Sequence, residues 1–128
     1  MIEAYFEQIE GILREFANIR SYTLTKRVYS RQQGYIGGTI IFENGHRLEF
    51  MEVKDTDSIG KLKYRYQCMT GLHELIFRYD NAPHHQEILT YPHHKHIANA
   101  VLDSHEPILR DILLEIALQE RRSALPNG

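Results

Sequence analysis

A chain of 128 residues has room for one hydrophobic core, and a composition of 42% hydrophobic and 25% charged residues is that of an ordinary globular protein. Its 15 basic and 17 acidic residues leave a formal charge of −2, which excludes a whole-molecule field that draws in polyanions. A lone cysteine excludes an intramolecular disulfide and any CxxC zinc site, and no apolar run reaches the ~20 residues of a membrane helix. The acidic start MIEAYFEQIEG does not fit a secretory signal. A soluble protein of the reducing cytoplasm, without membrane contact, is therefore expected. Residues 1–128 read as a single domain whose tail frays from about residue 123.

Ile2, Tyr5, Phe6, Ile9, Leu13 and Phe16 recur at three- and four-residue spacing, so residues 2–19 are expected to form an amphipathic helix. From Ser21 to Asp80 the period changes to two. Five runs follow: Tyr22 to Val28, Tyr35 to Glu43, Arg47 to Val53, Lys61 to Met69 and Leu72 to Tyr79. In the fourth run Leu62, Tyr64, Tyr66 and Cys68 share one face, and Lys61, Lys63, Arg65 and Gln67 the other. Asn44-Gly45 accepts the positive φ angles of a type I′ hairpin turn. Thr70-Gly71 marks a tight link, and Lys54 to Gly60 a polar loop.

Pro83 and Pro92 interrupt any ladder between residues 81 and 96, which read as irregular. Ile97 to Leu102 reads as a helical turn. Ser104 as N-cap, Glu106 and Pro107 then open a helix over 105–122, with Ile108, Leu109, Ile112, Leu113, Ile116 and Ala117 as its apolar stripe. The expected class is α+β: a five-stranded, mostly antiparallel meander with an N-terminal and a C-terminal helix.

The segment RYDNAPHHQEILTYPHHKH carries His84, His85, His93, His94 and His96, five of the eight histidines, beside Arg78, Asp80 and Lys95. A lone surface histidine is usually a solvated side chain, but five in so short a span call for a chemical use. Imidazole gives and takes protons near neutral pH. Cleavage of an RNA phosphodiester needs a base for the ribose 2′-hydroxyl, an acid for the leaving 5′-oxygen, and cations for the developing charge. His85, His94 and His96 are the leading proton carriers, with His84 beside them. Arg78 and Lys95 would stabilise phosphate, and Asp80 would orient a histidine, with no cofactor required.

Tyr64 and Tyr66 are candidate base-stacking rings. Lys61, Lys63 and Arg65 are a candidate RNA-binding patch, although a charged strand face is often only the solvated side of a sheet. A second reading is a divalent metal held by His94-Lys95-His96 in extended backbone, with His84 or Asp80 completing the shell. A third is an Arg78–Asp80 ion pair that merely ends a strand. Cys68 is expected to be a buried apolar residue.

The motifs RYDNAPHH (Arg78 to His85) and TYPHHKH (Thr90 to His96), with Glu52 and Tyr64-Arg65-Tyr66 upstream, resemble the TumE family of bacterial toxins from type II toxin–antitoxin modules. The similarity runs over most of the chain. It implies a toxin with a cognate helix-turn-helix antitoxin. It carries no catalytic assignment; ribonuclease action is the expectation from the residues and from the habit of such toxins. Leu114 and Leu118 widen the stripe of the last helix and are expected to bury a homodimer or antitoxin interface.

Overall fold

The computed structural model describes residues 1–124. In chain order it contains α1 (Ile2–Arg14), β1 (Ile19–Val28), β2 (Gln33–Phe42), β3 (Arg47–Asp55), β4 (Lys61–Met69), β5 (Leu75–Asp80), β6 (His94–Ile97), β7 (Ala100–Asp103) and α2 (Leu109–Ala124). The strands form one sheet in the order β1-β2-β3-β4-β5-β6-β7, every neighbouring pair antiparallel. The meander therefore has seven strands where five were expected. The two prolines break only the connection before His94, and the ladder resumes behind them. His94 pairs with Asp80 and His96 with Arg78, so Ile97 to Leu102 is a hairpin and not a helical turn.

Several boundaries differ from the expected ones for local reasons. α1 stops at Arg14, because Ile19 is already pairing with Phe42. Only Gly45 has positive φ (88°) in the β2–β3 connection, so the turn is not type I′, which needs a positive φ at both central residues. The Asn44 side chain accepts from the His46 N–H at 2.9 Å and fixes it. α2 begins at Leu109 and not at 105. Ser104 donates to the His105 carbonyl and does not cap the helix, while Asp111 in the first turn reaches back to accept from the Ile108 N–H. The expected fraying falls mainly on 125–128, outside the described residues.

Strand register decides which side chains are buried. Ile36, Ile40, Leu48, Phe50, Tyr64, Tyr66, Cys68 and Phe77 project from one face onto Phe6, Ile9 and Leu13 of α1 and Leu109, Ile112 and Leu113 of α2. Both helices thus cover the same side, and the other side of the sheet is left open. The β3–β4 register slips between Val53 and Lys54, where Lys54 pairs with Lys61. The slip skips Leu62, which is 55% exposed, and turns Lys61 onto the helix face. The expected grouping of Lys61 with Lys63 and Arg65 is broken there. Lys61 Nζ instead donates to the Pro107 carbonyl (2.8 Å) and lies 3.3 Å from Glu106 Oε2. Lys54, on the same face, donates to the carbonyls of Ser58, Ile59 and Gly60 and ties down its loop. Among the described residues no helix is long and apolar enough to cross a membrane.

Candidate active site

Four of the expected site residues share the open face because of strand alternation. Arg78 and Asp80 on β5 stand opposite His96 and His94 on β6. Asp80 is the hub. Its Oδ1 accepts from the Ala82 N–H at 3.0 Å and lies 3.0 Å from His94 Nε2. Its Oδ2 accepts from Arg78 Nε at 3.2 Å and lies 3.7 Å from His96 Nε2. Asp80 and His94 are buried, and His96 is partly so.

The connection 81–93 folds back over this pair. His85 takes a left-handed backbone conformation, φ 60°, which costs a non-glycine residue about 1 kcal/mol or more. That geometry sets its ring 5.4 Å from His94 and 5.6 Å from His96, centroid to centroid, while the last two rings are 4.7 Å apart. A cleft of about 530 Å³ opens over the three rings; His84, Lys63, Arg65, Tyr35 and Met51 also line it. A larger cavity, about 750 Å³, lies at the far end of the sheet against α2. Of the histidines only His46 lines it.

His94 has both ring nitrogens against acceptors. Nδ1 donates to the Pro92 carbonyl at 2.8 Å, and Nε2 faces the Asp80 carboxylate. A neutral ring protonated at Nδ1 would aim a lone pair at that carboxylate. Either a proton or a metal cation between Nε2 and the carboxylate satisfies the geometry. His96 is different. Burial holds its pKa below the usual 6.5, the Arg78 charge acts in the same direction, and Asp80 opposes both. Its ring is accordingly neutral at neutral pH, as a general base requires. The opposing signs yield a prediction. Arg78→Gln moves the His96 pKa up toward 6.5, and Asp80→Asn moves it further down. An NMR pH titration of the imidazole ring protons reads both shifts.

Of the other expected site residues, Lys95, Tyr66 and Lys61 stay out of the cleft, and Tyr64 reaches it only as a buried part of its wall. Lys95 alternates to the helix face, where Nζ lies 3.1 Å from Glu115 Oε2 and over the Phe77 and Tyr79 rings. It has no access to a phosphate in the cleft. Tyr64 is 1% exposed and bonds through its hydroxyl to His93 Nδ1 at 2.8 Å. Tyr66 is fully buried and donates to Glu52 at 2.6 Å. Neither ring has a free face for a base, because the alternation that made them neighbours also turned them inward. Lys61 is buried beside Glu106 and leaves the RNA patch. Cys68 is buried, and desolvation pushes its thiol up to about 12, which removes it as a nucleophile. Tyr35 and Met51 join the cleft without having been singled out. Their signal is the β2–β3–β4 register, which sets them beside Lys63 and Arg65.

Asp80, His94 and His96 together offer a carboxylate oxygen and two imidazole nitrogens, all within 4.8 Å of one another. The site can thus move protons beside Arg78, Lys63 and Arg65, or ligate one ion. No curated protein and no solved structure matches the chain. The toxin TumE family model matches residues 9–121, nearly the whole chain, and the chain belongs to that family.

Proposed function

We propose that this toxin is a metal-independent ribonuclease working by histidine general acid–base catalysis. The observation that supports it is the grouping of His85, His94 and His96 around Asp80 in a cleft rimmed by Arg78, Lys63 and Arg65. His96, held neutral, takes the 2′-hydroxyl proton. The 2′-oxygen attacks phosphorus and forms a 2′,3′-cyclic phosphate, and the bond to the 5′-oxygen breaks. His85, on the loop side of the cleft, donates a proton to that leaving oxygen. His94 is a positioning residue: pinned by Asp80 and the Pro92 carbonyl, it packs edge-on against the His85 and His96 rings and holds them in place. Arg78, Lys63 and Arg65 stabilise the phosphorane, and exposed His84 stands at the mouth.

The purified protein is expected to cut RNA, leave cyclic phosphate ends and keep its full rate in excess EDTA. Absence of cleavage overturns the proposal. Loss of cleavage in EDTA, restored by a divalent ion, favours a second reading in which Asp80, His94 and His96 ligate a metal. That reading draws its support from the two acceptors facing His94 and from the ligand spacing. Metal analysis of the protein as purified separates the two directly.

A toxin of a toxin–antitoxin module has an antitoxin partner. In our reading that antitoxin is of the helix-turn-helix kind, and either it or a second copy of the chain covers Leu114 and Leu118, which stand about half exposed on α2.

A further inference from the structure

The open face of the sheet extends well beyond the histidine cleft, and its register sets side chains in rows across the strands. One row runs Arg27, Tyr35, Val53, Lys63 from β1 to β4. The next runs Thr25, Gly37, Met51, Arg65, Asp80, His94 from β1 to β6. A path from the histidines to the far edge therefore passes two cations on β4, an aromatic ring on β2 and a cation on β1. A second cleft, about 380 Å³, is lined by Thr25, Arg27, Tyr29 and Tyr35. Tyr35 is a wall of both clefts, so they meet at its ring.

The placing of Tyr35 depends on a glycine. A Cβ at Gly37 would sit 2.5 Å from the Tyr35 hydroxyl oxygen. The missing side chain lets the ring lie along the sheet and not stand off it. Tyr29, just past β1, is 59% exposed. Two accessible rings thus lie among Arg27, Lys63 and Arg65. In these two rows the one carboxylate is Asp80, which Arg78 and His94 already engage. The helix layer on the opposite side carries Glu3, Glu7, Glu10, Asp111, Glu115 and Glu120. The chain is slightly acidic as a whole, but these two rows are basic.

We infer that this face is a track for single-stranded RNA, running across the strands from β1 to the histidines. Bases stack on Tyr29 and Tyr35, and phosphates lie on Arg27, Lys63 and Arg65. This deepens the ribonuclease reading and rests on it. Five strand spacings make the track roughly 24 Å long, which a segment of ~4 nucleotides spans. A duplex hides its base faces and offers its phosphates alone, so the rings select for unpaired RNA.

The test is fluorescence anisotropy with a short single-stranded 2′-O-methyl RNA, which lacks the attacking hydroxyl and is not cut, against a hairpin duplex of the same composition. The parent is expected to prefer the single strand. Tyr35→Ala and Tyr29→Ala are each expected to weaken it roughly 10-fold, with Tyr35→Phe within about twofold of the parent. Lys63→Ala should lower the salt slope by about one. Tyr29 lies outside the strands, so its variant keeps the test open if Tyr35→Ala fails to fold. Equal binding of duplex, or parental affinity in both alanine variants, overturns the track. A chain that binds as described yet cuts no RNA overturns the acid–base reading and leaves the track standing.

Discussion

Alanine at His96 lowers the single-turnover rate of RNA cleavage by on the order of 10²–10⁴ and leaves the melting temperature close to that of the parent. The rate falls because the neutral base is gone. The fold survives because Asp80 keeps its bonds to Arg78, the Ala82 N–H and His94 when His96 is removed. His85→Ala should fall in the same range, since its ring supplies the second proton. Lys95→Ala is the contrast. It breaks the Glu115 pair on the helix side and leaves the chemistry at the parental rate. Equal losses from His96→Ala and Lys95→Ala would show that the rate reports general destabilisation and not proton transfer.

Glu52 carries the second large effect, on stability. Its carboxylate is fully buried and accepts from both Tyr5 and Tyr66. Glu52→Ala strands two hydroxyls in the core and opens a void, at about 3 kcal/mol, or a fall of roughly 10 °C in melting temperature. Glu52→Gln keeps an acceptor and should cost less. Glu52 points to the helix layer, so cleavage per folded molecule is unchanged in Glu52→Gln. The acidic residue of the family pattern is thus a structural group here. A Glu52→Ala protein that melts with the parent but has lost its activity would contradict that assignment.

The fold and the site differed in how far the sequence exposed them. The stripe of α1 and the alternation of β3 and β4 are apolar patterns, and apolar patterns announce their faces. β6 was hidden because its alternation is written in His94, Lys95, His96 and Ile97, where no hydrophobic period is visible and two prolines lie just upstream. Missing that strand also misplaced Lys95: once the backbone is extended, alternation alone sends it away from its two histidine neighbours. Lys61 was misplaced by a single skipped residue at Leu62, since a bulge inverts every side chain beyond it. Arg78, Asp80 and the histidines were legible as a group because polar residues of one chemistry clustered in sequence. Tyr35 was not, because only pairing across three strands brings residue 35 to residues 63, 65 and 94.

The central claim is that these histidines carry the toxic chemistry, and growth on induced expression tests it most directly. Parent, His85→Ala, His94→Ala and His96→Ala are expressed without the antitoxin, at matched levels of folded protein. The account predicts growth arrest by the parent and restored growth with His85→Ala and His96→Ala, with His94→Ala weakened through loss of positioning. Three well-folded variants that arrest growth as strongly as the parent would contradict it.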